Sequence, residues 1–219
     1  MGQSVEIILS HSRLLINGLV LTLQLSAVVV IIGSLIGIAG GLALSYGPLP
    51  LRLAIRGYVD LLRGLPLLVT IFIIFYGLPV ALQLEIEPFE AVATALSVFA
   101  GAHMTEIVRG AVTSIPRTQT DAAKAIGLTF LPRMRYVILP QAWRRALPPW
   151  VNLGADLVKG TSLASLVSLS DLMLSTNKVI ESTQEPIPFY IVTGIIYFVI
   201  CFSLSRLAAL IGRNPRWGF

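Results

Sequence analysis

Long apolar runs alternate with short charged segments along the chain. No charged residue occurs between Arg13 and Arg52 or between Arg63 and Glu85, and three less uniform apolar runs follow. A membrane-spanning helix needs about 20 mostly apolar residues. The pattern therefore predicts five spans, at about residues 14–46, 58–83, 88–114, 146–170 and 188–212.

The polar segments between these runs differ in charge. Lys and Arg concentrate between spans one and two, between spans three and four, and after span five, whereas the opposite segments hold mainly Asp and Glu. An excess of Lys and Arg marks the cytoplasmic side of a membrane. We predict an all-α polytopic membrane protein with a single transmembrane domain over residues 1–219, its N-terminus outside and its C-terminus in the cytoplasm.

Composition supports a surface that faces lipid. Hydrophobic residues make up 55% of the 219 residues and charged residues only 12%, whereas about a quarter of a soluble domain is charged. The net charge of +5 is assigned to basic cytoplasmic segments and not to nucleic-acid binding. Cys201 is the only cysteine, which excludes a disulfide within the chain. The first apolar run is too long for a signal peptide and is predicted to remain as an anchor.

Patterns for catalysis and nucleotide binding are absent from the sequence. The stretch "GADLVKGT" at residues 154–161 places lysine before glycine, the reverse of the phosphate loop. His11 and His103 lack a metal-ligand spacing, and Ser162 has no histidine near it in the sequence. These observations leave no candidate nucleotide site, metal site or catalytic serine in the sequence.

The stretch "DAAKAIGLTFLPRMRYVILP", residues 121–140, is too polar to span a membrane and is patterned for helix. It predicts two short helices over about residues 117–140, with Thr118 or Thr120 capping the first and Thr129 the second. Gly127 is expected to end the first helix in a left-handed conformation, and Pro140 to end the second. From these residues alone, a knob for a protein partner and an amphipathic surface on anionic lipid are equally good interpretations.

The spacing within this stretch resembles the conserved cytoplasmic loop of ATP-binding-cassette (ABC) importer permeases, written E-A-A-x3-G-x9-I-x-L-P. The matching positions are Asp121, Ala122, Ala123, Gly127, Val137, Leu139 and Pro140. The resemblance implies that the segment forms coupling helices that bind an ATPase subunit. On this basis we favour binding of this segment to a protein partner over binding to anionic lipid.

Other segments resemble the polar amino-acid permeases of the histidine and glutamine type. They are "YVDLLRGLPLLVTIFIIFYGLP" at residues 58–79 and "EIVRGAVTSIPRTQTDAAKAIGL" at residues 106–128. Permeases for osmoprotectants or methionine share the coupling loop but match these segments less well, and they are the alternative. A passive channel or an intramembrane enzyme is a further alternative, against which the coupling motif argues.

The resemblance implies a type I ABC importer permease fold in the bacterial cytoplasmic (inner) membrane. It implies as partners a second permease subunit, either a non-identical homologue or an identical copy, a dimer of ATPase subunits and an extracytoplasmic solute-binding protein. It also implies that ATP and Mg²⁺ belong to the ATPase subunits. This chain is then expected to be a transport subunit without an ATP site, not an enzyme, with no catalytic residue, metal or cofactor of its own. Besides these proteins only the lipid bilayer is expected as a partner, and no nucleic acid.

Ionisable residues inside spans are costly and usually face the interior of a bundle. Three opposite-charge pairs with helical spacing lie there: Asp60 with Arg63, Glu106 with Arg109, and Asp156 with Lys159. For the third pair, on the polar fourth span, a transport path and a structural ion pair are equally good interpretations. The candidate path residues are Asn152, Asp156, Lys159, Thr161, Ser162 and Glu106.

Two positions in the fourth span depart from the family pattern. Leu153 and Gly160 stand where the resemblance leads one to expect carboxylates that hold a cationic group. A second permease could carry the site, Asp156 could substitute, or the substrate could be less cationic; we favour the first. Span one also contains the small-residue pair Gly33 and Gly37, which predicts close helix packing either within the chain or between subunits.

Overall fold

The computed structural model describes residues 10–83 and 85–213, and all regular structure in that part of the chain is helical. We number the helices in chain order. They are α1 (Ser12–Tyr46), α2 (Leu49–Gly64), α3 (Leu67–Leu82), α4 (Pro88–Thr113), α5 (Arg117–Ala125), α6 (Phe130–Val167), α7 (Leu172–Thr183) and α8 (Pro186–Arg213).

Three of these helices, α1, α4 and α8, are long and apolar enough to cross a membrane. Two bent pairs also qualify when each pair is taken as one span: α2 with α3, bent by 110°, and α6 with α7, bent by 50°. The described residues thus contain three to five candidate spans. The five spans predicted from the sequence equal the upper number.

The predicted second span, residues 58–83, is not one continuous helix. The helix is interrupted between Gly64 and Leu67, and Pro66 stands at the N-cap of α3. Proline disfavours helical backbone in the residue before it, which is the physical reason for the break. The part before the break belongs to α2, an amphipathic helix that buries Val59 and Leu62 and exposes its arginines.

Pro140 does not end a helix, contrary to the prediction. Helix α6 begins as Phe130–Arg133, passes through a π-helical turn at Met134–Ile138 and continues as Leu139–Gly160 before a 3-10 end at Thr161–Val167. The Leu139 N–H donates to the Met134 carbonyl, five residues back. Because the turn widens just before Pro140, the missing N–H and the proline ring are accommodated.

Contacts divide the chain into two compact units. The first comprises the chain up to Ile31 together with Leu65–Ser97 and Gly154–Ser203, and the second comprises Ile32–Gly64, Val98–Leu153 and the chain from Leu204. Helix α7 lies in the first unit and α5 in the second.

Helix α7 is held in the first unit by buried polar contacts. Asp171, fully buried at its N-cap, accepts from the Leu174 N–H at 2.8 Å and lies 3.4 Å from the Tyr197 hydroxyl of α8. The Thr22 hydroxyl of α1 accepts from the Leu172 N–H at 3.1 Å. The buried apolar side chains of this region are Leu15, Leu172, Val179 and Phe189. These contacts fix the position of α7 against α1 and α8.

In the second unit, glycines bring α1 close to α4. A β-carbon built at Gly33 would lie 2.6 Å from Ala100 Cβ, and one built at Gly37 would overlap the Met104 side chain. Gly40 and Gly41 meet Thr105 and Val108 in the same way. Of the two interpretations of the small-residue pair, packing within the chain is therefore correct.

Candidate functional site

Residues 117–140 fold as two helical segments joined at Gly127. Its φ of +81° is left-handed, which confirms the predicted backbone at this position. The Gly127 N–H donates to the Lys124 carbonyl at 2.8 Å, and the Leu128 N–H donates to the Ala123 carbonyl at 3.0 Å. This pair of bonds is the Schellman motif, which satisfies the last carbonyls of a helix and places glycine at the left-handed position.

The predicted cap at Thr118 or Thr120 is wrong. Helix α5 has Pro116 at its N-cap, so Thr118 and Thr120 lie inside its first turns. Proline fixes its own φ near the observed −57°, which begins the helix without a capping hydroxyl. Thr129 does occupy the N-cap of α6 in extended backbone, but its side chain makes no capping bond.

Large apolar side chains around Gly127 point to solvent. Ile126 and Leu131 are each 76% exposed and Tyr136 is 68% exposed; we call these three the knob surface. Apolar side chains exposed on an otherwise polar segment are typical of a site that contacts another protein or a membrane. Of the neighbouring apolar residues Ala122, Ala123 and Ile126, only Ala123 is buried.

Most other residues that match the coupling-loop pattern also lie near the surface. Asp121, Ala122, Gly127 and Pro140 are exposed, and Leu139 is 38% exposed. Asp121 lies 3.4 Å from Lys124 in an exposed ion pair, which contributes little to stability.

The opposite side of this region packs on the end of α4. Met134 and Ile138 are buried in a cluster with Val108 and Ala111 of that helix. The Arg145 guanidinium donates to the Ser114 carbonyl and hydroxyl, at 2.5 and 2.9 Å. The knob surface is therefore carried on a segment fixed to α4 by both apolar and polar contacts.

Glu106 lies at the centre of a three-residue ion cluster. Its Oε1 is 3.0 Å from Arg56 Nη1, and its Oε2 is 2.7 Å from Arg109 Nη2. The Glu106 side chain is only 14% exposed. The Glu106–Arg109 pair was predicted from helical spacing, whereas Arg56 of α2 was missed because it lies far away in the sequence. Asp60, paired with Arg63 in the prediction, lies 4.0 Å from Arg56.

We expect Glu106→Gln to lower the stability of the protein by about 1–3 kcal/mol, because two arginines lose a charged, largely buried acceptor. The measurement is the melting temperature of the purified protein in detergent. Asp121→Asn is the control, since its ion pair is exposed and its loss is expected to change stability by less than about 0.5 kcal/mol. Equal melting temperatures for Glu106→Gln and the wild type would contradict this role.

The candidate path residues of the fourth span divide into two groups. Asp156 and Lys159 form an ion pair at 2.7 Å, and their side chains are 67% and 58% exposed. Thr161 is fully buried and donates to the Val158 carbonyl, while the Ser162 hydroxyl donates to the Lys159 carbonyl. Thr161 thus faces the protein interior and the charged pair faces outward.

Asn152 is exposed, as a path residue must be. Leu153 instead packs beside the apolar cluster of the second unit. At Gly160 a β-carbon would lie 2.9 Å from Leu67 Cδ2. The two positions where carboxylates were expected are thus apolar and closely packed in this chain.

Comparison with known proteins identifies close relatives. Residues 30–217 match the family model described as "Binding-protein-dependent transport system inner membrane component". The chain is 35% identical over 202 residues to the L-cystine transport system permease protein TcyB of Bacillus subtilis, covering 92% of this chain and 86% of that one. It is 35% identical over 214 residues to the histidine/lysine/arginine/ornithine permease HisQ of Salmonella typhimurium, covering 93% of each.

Solved structures share the fold. An amino acid ABC transporter with histidines aligns with a TM-score of 0.88 and 31% identity, over 94% of this chain and 96% of that one. The MetNI methionine ABC transporter aligns with a TM-score of 0.74 and 20% identity, over 92% and 97%. At 20% identity, the second comparison bears on the fold alone.

Proposed function

The chain belongs to the family of binding-protein-dependent transport system inner membrane components, and from that premise we propose that it is the permease subunit of an ATP-driven importer for polar amino acids. Relatives named for cystine, for histidine, lysine, arginine and ornithine, and for glutamine support this substrate class. The methionine transporter is only 20% identical, so its similarity in fold gives no support for methionine as the substrate.

The observation that carries the proposal is the knob surface beside Gly127. We assign the binding of the ATPase dimer to this region, with Asp121, Ala122, Ala123, Gly127, Leu139 and Pro140 forming its framework. ATP binding closes the ATPase pair, and the closure moves the segment that carries the knob surface. Because Met134 and Ile138 pack on α4, that movement reaches the membrane helices. ATP and Mg²⁺ stay in the ATPase subunits.

The basic segments orient the protein in the bacterial inner membrane. We place the N-terminus outside, the C-terminus in the cytoplasm and α5 on the cytoplasmic side, following the excess of Lys and Arg. A solute-binding protein delivers the amino acid from outside, and a second permease subunit completes the path across the membrane.

Asp156 and Lys159 are assigned to that path. Charged side chains within a span are costly when they face lipid, and these two are largely exposed on this chain. They therefore face a water-filled path or the second permease subunit. Asn152 and Ser162, on the same helix, are assigned to the path with them, whereas buried Thr161 supports the helix.

Asp156→Asn and Lys159→Met are expected to reduce uptake about tenfold, because each removes a charged hydrogen-bonding group from the path. The measurement is ATP-driven uptake by the complete transporter in proteoliposomes, with co-purified ATPase quantified in parallel. Lys178→Met is the matched control, since Lys178 lies on α7 outside the proposed path and its ammonium group donates to the Ser170 hydroxyl at 2.9 Å. Unchanged uptake affinity and rate in both path variants would remove the fourth span from the site.

The proposed function is tested with the same proteoliposomes and the wild-type protein. Uptake of glutamine, histidine or cystine that requires both ATP and the binding protein is the expected result. Uptake of methionine or glycine betaine in their place would overturn the substrate class, and uptake without any ATPase subunit would overturn the importer function.

A further inference from the structure

The end of α1 meets the beginning of α6 through two aromatic rings. Tyr46 is the last residue of α1 and Phe130 the first of α6. Their ring centroids are 5.4 Å apart at an interplanar angle of 75°, an edge-to-face arrangement. The Arg133 guanidinium lies 5.8 Å from the centroid of the same Phe130 ring. Such geometries are favourable because the positive edge of one ring, or a cation, meets the negative face of another.

We propose that Tyr46 is a positioning residue for coupling, which transmits movement of the knob surface to α1 through Phe130. The inference rests on the proposed function, since it requires an ATPase that moves this segment. Phe130 follows the Gly127 turn by three residues and lies next to Leu131 of the knob surface. A displacement of that surface therefore reaches the Phe130 ring directly.

Burial does not account for this contact. Tyr46 is 45% exposed and Phe130 is 46% exposed, so neither ring belongs to a packed core. The buried cluster around Met134 and Ile138 already fixes the segment to α4. Leu42 of α1 also packs against that cluster, and the aromatic pair adds a contact at the surface to the very end of α1.

The close packing of α1 against α4 would transmit such a displacement to both helices. Along its second half, Gly37, Gly40 and Gly41 sit against α4 so closely that an added β-carbon at any of them would overlap or crowd Met104, Thr105 or Val108. Helices in such close contact move as one body, since packed interfaces are not continuously deformable. A displacement of Tyr46 therefore moves α1 and α4 together.

The experiment compares Tyr46→Leu, Tyr46→Phe, Phe130→Leu and the double leucine variant in the complete transporter. Solute molecules taken up per ATP hydrolysed are measured in proteoliposomes, with co-purified ATPase and basal ATP hydrolysis as separate readouts. Tyr46→Leu is expected to lower the uptake per ATP about threefold, the effect of losing one aromatic pair. Co-purified ATPase and basal hydrolysis stay at wild-type levels, Tyr46→Phe retains the coupling, and the double variant loses no more than Tyr46→Leu.

Each contrary outcome has a defined meaning. Wild-type uptake per ATP in Tyr46→Leu, an equal loss in Tyr46→Phe, or additive losses in the double variant would overturn the role of the ring pair while leaving the importer function intact. A wild-type protein that shows no ATP-driven uptake would overturn both proposals.

Discussion

Replacing Gly127 with proline is expected to abolish ATP-driven uptake and to release the ATPase subunit during purification. Proline fixes φ near −65°, whereas the chain at Gly127 has a φ of +81°. The substitution also removes the N–H that donates to the Lys124 carbonyl at 2.8 Å. Together these changes destabilise the local structure by at least about 3 kcal/mol, which is enough to unfold the turn that presents Ile126 and Leu131.

Alanine variants at Gly127 and Gly110 separate the need for positive φ at Gly127 from the general effect of replacing a glycine. A β-carbon at Gly127 or at Gly110 meets no atom within 4 Å, and of the two only Gly127 has positive φ. Gly127→Ala is expected to lose about 1 kcal/mol of stability and part of the uptake, and Gly110→Ala is expected to lose neither. Co-purification and uptake that both survive Gly127→Pro would show that this turn does not bind the ATPase.

Replacing Gly37 with valine is expected to prevent the protein from accumulating in the membrane as a folded species. A side chain at this position overlaps Met104 Cβ and Cγ and lies 2.9 Å from the Met104 backbone carbon. A flexible side chain alone could move aside, but the α4 backbone cannot. We expect a destabilisation of about 3 kcal/mol, the upper end of the usual range for overpacking.

Protein level in the membrane and resistance to protease measure this effect. Gly194→Val is the matched control, because a β-carbon at Gly194 on α8 meets no atom within 4 Å. Both variants place a β-branched residue in a long helix, so the difference reports the close approach of α1 to α4. Equal levels and equal protease resistance for the two variants would contradict the packing described for Gly37.

Much of the fold could be predicted from the apolar runs, because a helix in lipid must be long and free of charge. The 110° break between α2 and α3 was missed, although Pro66 marks it, since the apolar run continues on both sides of the proline. At Pro140 the error was the opposite one, since a helix end was predicted where the helix continues. A proline ends an ordinary helix, but a π-helical turn at Met134–Ile138 lets α6 continue, and the local sequence carries no signal for that turn.

The candidate site was predictable where local rules apply. Gly127 was identified because few residues other than glycine adopt a left-handed helix end, and the Glu106–Arg109 pair follows from helical spacing. The bond from Arg56 to Glu106 joins α2 to α4, and nothing local connects residues so distant in sequence. The N-cap role of Asp171 was missed, although an aspartate directly before a helix is a common N-cap and could have been recognised as one.

The most direct test is photo-crosslinking from the knob surface in membranes that contain the complete transporter. A photoreactive phenylalanine derivative replaces Ile126, which is 76% exposed, and a second variant carries it at Val80, which is 82% exposed at the far end of α3. We predict a covalent product of permease and ATPase subunit from position 126 and none from position 80. The absence of that product at position 126, or equal amounts from both positions, would contradict the assignment of residues 117–140 as the contact with the ATPase.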